Sequence, residues 1–156
     1  MVRMAVNRWL CVLLLLVGCK IGRPPPVAGP FSVDQVVAPV AEPGLKNALQ
    51  DGLGSALSAR SLLGARGINP VSVAVLSAAS IPTGVGPNSQ IYTARLQVSV
   101  RSGGRTAQFS SERSYTVIDP VQGASARADA FAGLAKSLMQ DAVMWLSLAP
   151  KEEGAQ

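Results

Sequence analysis

The apolar positions of this chain repeat with two different periods. Leu45, Leu49, Leu53 and Leu57 recur every four residues, with Ala48, Ala56 and Leu63 beside them. That is one stripe of a helix, predicted over residues 45–63. Pro43 stands near its start, where a missing N–H costs nothing. Gly64 is a natural stop. A second stripe is formed by Phe131, Leu134, Leu138, Ala142 and Trp145, widened by Ala135, Val143 and Leu146. It predicts a helix from Ala124 or Ser125 to about Leu148, with Asp129 in its first turns suiting the positive helix end. Pro150 would stop it, leaving 150–156 as a polar tail.

Elsewhere the period is two. Residues 31–40 are short, β-branched (Val33, Val36, Val37, Val40) and bounded by prolines, which predicts a first strand ended by Pro39. Val71, Val73 and Val75 alternate in a second strand, 71–76. Residues 80–90 hold Pro82, Gly84, Gly86, Pro87 and Asn88, a composition that predicts a mobile loop. Residues 91–101 and 106–118 read as a hairpin closed at Gly103-Gly104. A two-residue loop there sets a register. Val100 then faces Ala107, Val98 faces Phe109, Tyr92 faces Tyr115, and Arg95 meets Glu112 on the polar face. A slip of one residue would disrupt that matching.

The order is therefore β-α-β-β-β-α. The fold class expected is α/β, a two-layer sandwich with a four-stranded sheet and two amphipathic helices on one face. Gly52 and Gly54 weaken the first helix by ~1 kcal/mol each against Ala, which suggests close backbone packing.

The front of the chain changes the picture. Arg3 and Arg8 precede an apolar run from Leu10 to Val17, a basic then apolar pattern typical of a secretory signal. The run is about half of the ~20 residues a membrane span needs. It closes on Leu16-Val17-Gly18-Cys19, which resembles the lipobox of bacterial lipoproteins. That resemblance implies cleavage before Cys19 and lipid on its thiol. The expected division is a signal peptide over 1–18, a lipidated Cys19 with a proline-rich tether over 19–30, a folded domain over 31–149 and the tail. Pro24, Pro25, Pro26 and Pro30 make the tether semi-rigid, spanning roughly 30 Å at ~3.1 Å per residue. Such lipoproteins are usually kept in the inner membrane by Asp after the cysteine; Lys20 favours the outer membrane.

Composition narrows the chemistry. Cys11 leaves with the signal and Cys19 is alkylated, so the mature domain has neither free thiol nor disulfide. The net charge of +5 falls to +3 once Arg3 and Arg8 are removed, too weak a balance to argue for nucleic acid. The sequence contains no histidine and no Gly-x-Ser-x-Gly elbow. Asp119, Asp129 and Asp141 are spread along the second helix and its approach, with no nucleophile or metal set near them. An enzyme is not expected, and no cofactor or metal beyond the lipid on Cys19.

A family comes into view at Ala41-Glu42-Pro43-Gly44-Leu45-Lys46-Asn47-Ala48-Leu49, which follows the lipobox and the first strand, and at the hairpin ending in Glu112-Arg113-Ser114-Tyr115. Together with the element order from about Phe31 to Leu148, these segments resemble the LPS-assembly lipoprotein family, LptE. Members often follow the lipid cysteine with Gly and an aromatic residue; here Lys20-Ile21-Gly22-Arg23 and the prolines stand instead. The resemblance implies a plug and assembly partner for an outer-membrane β-barrel, the translocon LptD, aiding delivery of lipopolysaccharide to the cell surface. The site would lie on the periplasmic side of the outer membrane. Arg95, Arg101 and Arg105 then become candidates for lipopolysaccharide phosphates, as an arginine stripe at the hairpin. Solvated arginines, with Arg95 simply paired to Glu112, are the plainer expectation. The alternative function is an outer-membrane lipoprotein that activates a peptidoglycan synthase or another envelope partner.

Overall fold

A computed structural model describes residues 29–38, 42 and 44–148. The elements in chain order are β1 (Ser32–Val37), α1 (Leu45–Ala59), β2 (Pro70–Gly86), β3 (Ser89–Ser102), β4 (Arg105–Val117) and α2 (Pro120–Ser147). The sheet order is β1-β2-β3-β4, with β1 parallel to β2 and the other pairs antiparallel. The helices share one face of the sheet. α1 packs on β1 and along α2, and α2 packs on β3 and β4. The expected α/β two-layer sandwich is the observed one.

The long hairpin has the predicted register. Val100 opposes Ala107, Val98 opposes Phe109, Arg95 opposes Glu112 and Tyr92 opposes Tyr115. The two tyrosine rings stack at 5.5 Å. Gly103 and Gly104 both have positive φ (56° and 76°), which the twist of a two-residue hairpin turn requires.

Three expected boundaries move. Residues 80–90 do not form a loop. β2 continues to Gly86 and turns back through Pro87 and Asn88, pairing Ser80 with Ala94 and Gly86 with Ser89. Pro82 is accommodated because β1 stops pairing at Ala74, so no strand of the described residues pairs with that side of β2 there, and the register shifts between Pro82 and Gly84. The first helix ends at Ala59, not Leu63. Ser61 takes positive φ, and the Leu62 N–H donates back to the Leu57 carbonyl at 2.8 Å. Gly64 instead pairs with the entering chain: its N–H donates to the Phe31 carbonyl at 2.7 Å. The second helix starts at Pro120, not near Ala124. Pro120 opens the helix rather than only breaking the strand, because Asp119 caps it by accepting from the Val121 N–H at 2.9 Å.

The core lies between sheet and helices: Leu49, Leu53 and Leu57 from α1, Val71 and Val73 from β2, Leu96, Val98 and Val100 from β3, and Leu138, Met139 and Leu146 from α2. Gly52 is a true close approach. A Cβ there would stand 3.5 Å from the Lys136 Cα and 3.4 Å from the Met139 Cγ. Gly54 meets nothing within 4 Å, so only one of the two glycines serves the packing. The signal peptide, Leu16, Val17, Gly18, Cys19, most of the tether, Pro39 to Ala41, Pro43 and the tail lie outside the described residues.

Candidate interaction surface

Strand alternation sends every second residue of β3 and β4 away from the helices. That side of the sheet carries Arg95, Gln97, Ser99 and Arg101 from β3, and Thr106, Gln108, Ser110 and Glu112 from β4. No other layer of the described residues covers it. Its side chains bond to one another across strands: Arg95 Nε donates to Glu112 Oε2 at 3.0 Å, and Gln97 Nε2 donates to Gln108 Oε1 at 3.3 Å. Toward β1 the face forms a shallow depression of about 310 Å³ lined by Val37, Ser72, Ala74, Ser99, Arg101 and Thr106. This surface is broad and open, suited to a partner's surface rather than to an enclosed small ligand.

The three candidate arginines do not form one stripe. Arg95 and Arg101 share the open face; Arg95 is paired to Glu112, and Arg101 makes no ion pair with the described residues. Arg105 lies on the opposite face. It opposes Ser102, which is buried, and its guanidinium stacks 5.0 Å from the Trp145 ring centroid. Its Nη1 is buried without a hydrogen-bond partner among the described residues. The register itself carried this signal. A turn that sets Val100 against Ala107 also sets Ser102 against Arg105, on the same apolar side.

Sequence reasoning missed a second arginine. Arg127 of α2 forms an ion pair with Glu42, donating from Nε to Oε2 at 3.3 Å and from Nη2 to Oε1. The hydrogen bond to Glu42 raises the Arg127 pKa above its ordinary value, against an opposing effect of burial. Arg127 also lies 5.8 Å from the Phe131 ring centroid. Glu42 and Phe131, with Gly44, Leu45, Ala48 and Asp129, line a cavity of about 180 Å³ between the helices. The Glu-Pro-Gly segment reads in sequence as a turn. Gly44 does take positive φ (83°) before α1, but nothing local marks Glu42 as buried.

The far end of the sheet has a different character. Between Arg66 and Arg95 no residue carries a charge, and this uncharged stretch forms β2, its turn and the start of β3. Val85 opposes Gln90, and Gln90 opposes Val117, so the β2–β3 turn lies beside the entry to α2. Exposed aliphatic side chains gather there: Val85 at 84%, Ile118 at 75% and Val121 at 86%. Asp119 is the carboxylate of this end, and it is engaged as the helix cap. Grouped exposed aliphatics with depleted charge are the mark of a surface that another molecule covers.

Among the described residues no group of His, Cys, Asp and Glu could hold a metal ion. No helix among them is long and apolar enough to cross a membrane.

Solved structures share this fold. A minor lipoprotein from Acinetobacter baumannii aligns with a TM-score of 0.51 at 14% identity, over 75% of this chain and 91% of that one. A protein from Xanthomonas campestris described as DUF330 aligns with a TM-score of 0.53 at 16% identity, over 80% of this chain and 86% of that one. At such identities the likeness shows the fold. No family model matches the chain, and no curated protein matches it in sequence.

Proposed function

We propose that this protein is a lipid-anchored lipoprotein of the outer membrane, facing the periplasm, whose domain works by binding a partner and not by catalysis. The observation that carries the binding role is the charge-poor end with exposed Val85, Ile118 and Val121. Exposed aliphatics grouped on a small domain call for a covering surface. The anchor is supported by Leu16-Val17-Gly18-Cys19 behind its apolar run, and a lipoprotein is among the solved structures with this fold.

The partner in this reading is the LptD-like β-barrel translocon of lipopolysaccharide, which the domain plugs and helps to assemble. Support comes from the Glu42-Pro43-Gly44-Leu45 segment and from the observed β-α-β-β-β-α order. The charge-poor end is the part suited to entering a barrel. Arg101 on the open face is the arginine available to lipopolysaccharide phosphates; Arg95 reaches them only by sharing its bond with Glu112.

The test is co-purification from outer membranes in mild detergent, through a tag after Gln156. Recovery of one stoichiometric large β-barrel, lost in Val85→Asp and Val121→Asp, is the expected result. A peptidoglycan synthase in its place would keep the binding module and replace the partner. Recovery of the lipoprotein alone would sink the plug reading.

A further inference from the structure

The described chain enters the domain at one end and is gripped there. Asn69 Nδ2 donates to the Pro30 carbonyl at 2.9 Å, the Phe31 N–H donates to the Leu62 carbonyl at 2.7 Å, and the Gly67 N–H donates to Ser32 Oγ at 3.2 Å. The gripping segment is the connection from α1 to β2, and it carries Arg60 and Arg66, both exposed. Arg101 arrives at the same end from β3. It opposes Ser72, whose hydroxyl donates to Asp34 Oδ2 at 3.2 Å. Three exposed arginines therefore surround the point of entry, and none forms an ion pair with the described residues. Among the described residues the carboxylates of this end are Asp34, already bonded to Ser72, and Asp141 near the close of α2.

We propose that this arginine-bearing end rests on a bilayer surface of anionic phospholipid. The proposal depends on the lipid-anchored reading above, and two observations lead to it. The first is charge: the far end of the domain is charge-poor, with Asp119 as its carboxylate, whereas this end offers guanidinium groups to phosphate. The second is length. Residues 20–28 separate Cys19 from the described chain, a span of at most about 35 Å in any conformation. α2 alone has 28 residues and is about 42 Å long. A lipid on Cys19 therefore keeps the arginine end within about 35 Å of the membrane, whereas the opposite end of α2 can stand beyond that reach. Lys20 and Arg23 add positive charge to the connecting segment. In the barrel-plug reading, the charge-poor end enters the partner and the arginine end stays level with the headgroups of the leaflet that holds the anchor.

The test reconstitutes the full protein, purified from membranes, into vesicles of phosphatidylcholine or of an equal mixture of phosphatidylcholine and phosphatidylglycerol. Amide hydrogen exchange is followed at residues 65–69 and 102–106. Exchange there should slow by about fivefold or more on the anionic vesicles, with no change at residues 85–91. The slowing should vanish in the combined Arg60→Gln, Arg66→Gln, Arg101→Gln variant. Equal exchange on both vesicles, or slowing that survives the triple substitution, overturns the proposal. So does slowing produced by lipopolysaccharide in neutral vesicles but not by phosphatidylglycerol, which would assign the arginines to lipopolysaccharide. The mass of the N-terminal peptide separates the two readings. An unmodified Cys19 sinks the anchor, and the same exchange comparison with the unanchored chain added to the vesicles still decides whether the arginines meet phospholipid.

Discussion

Glu42 and Arg127 are 85 positions apart and hold the entrance of α1 against the early turns of α2. The Glu42 side chain is 9% exposed and the Arg127 side chain 43%. The carboxylate is therefore the buried member and the guanidinium reaches in from solvent. A carboxylate in that position is tolerated because two guanidinium N–H groups meet its two oxygens.

Arg127→Ala leaves the Glu42 carboxylate buried without its cation. It should cost about 1–3 kcal/mol, below the range for a fully buried pair because Arg127 is partly solvated. Glu42→Gln, which removes the charge and keeps the shape, should cost less. Urea unfolding of both variants checks the order. If Glu42→Gln is the more damaging, the burial of the carboxylate is not what makes the pair matter.

The two glycines of α1 should behave in opposite ways. Gly54 has open space around its missing Cβ, so Gly54→Ala should stabilise the domain by about 1 kcal/mol through helix propensity. Gly52 faces Met139 and the Lys136 backbone, so Gly52→Leu should overpack the helix pair and cost about 1–3 kcal/mol. Thermal midpoints moving in the same direction for both variants would contradict the placement of the helices.

Arg105 and Arg101 flank the same turn and should differ in stability. Arg105→Ala removes a guanidinium stacked on Trp145 and should cost about 0.5–1 kcal/mol or more. Arg101→Ala, on the open face, should fall within about 0.5 kcal/mol of the parent. Chemical denaturation of the pair measures this. Equal effects would mean that the hairpin does not direct the two side chains to opposite faces.

Cys19→Ala should block lipid attachment and leave the larger precursor with residues 1–18 still present. Mass spectrometry and cell fractionation read the outcome. Normal cleavage and normal outer-membrane location of the variant would end the lipobox reading.

Much of the sheet was legible in sequence because two local signals agreed. Alternation along residues 91–101 and 106–118 defined the faces, and Gly103-Gly104 set the register that pairs Arg95 with Glu112. The same logic reaches Arg105, which its alternation places against the helices. Residues 80–90 were not legible. Their glycines and prolines are loop residues by composition, yet a strand side left unpaired by the described residues and a register shift let them continue β2. Pro120 was ambiguous for a related reason: proline ends strands and also opens helices, and the Asp119 cap decides which.

The sequence by itself determined which segments are helix and which are strand, residues 80–90 excepted, together with their order and the hairpin register. These follow from periodicities and turn chemistry that act over a few neighbouring residues. Tertiary structure alone decided that Glu42 is buried and meets Arg127, that Gly52 and not Gly54 is a close approach, and that the arginines around the chain entry lie opposite a charge-poor end. Each of these depends on segments distant in sequence arriving at the same place, and no local pattern encodes such a meeting.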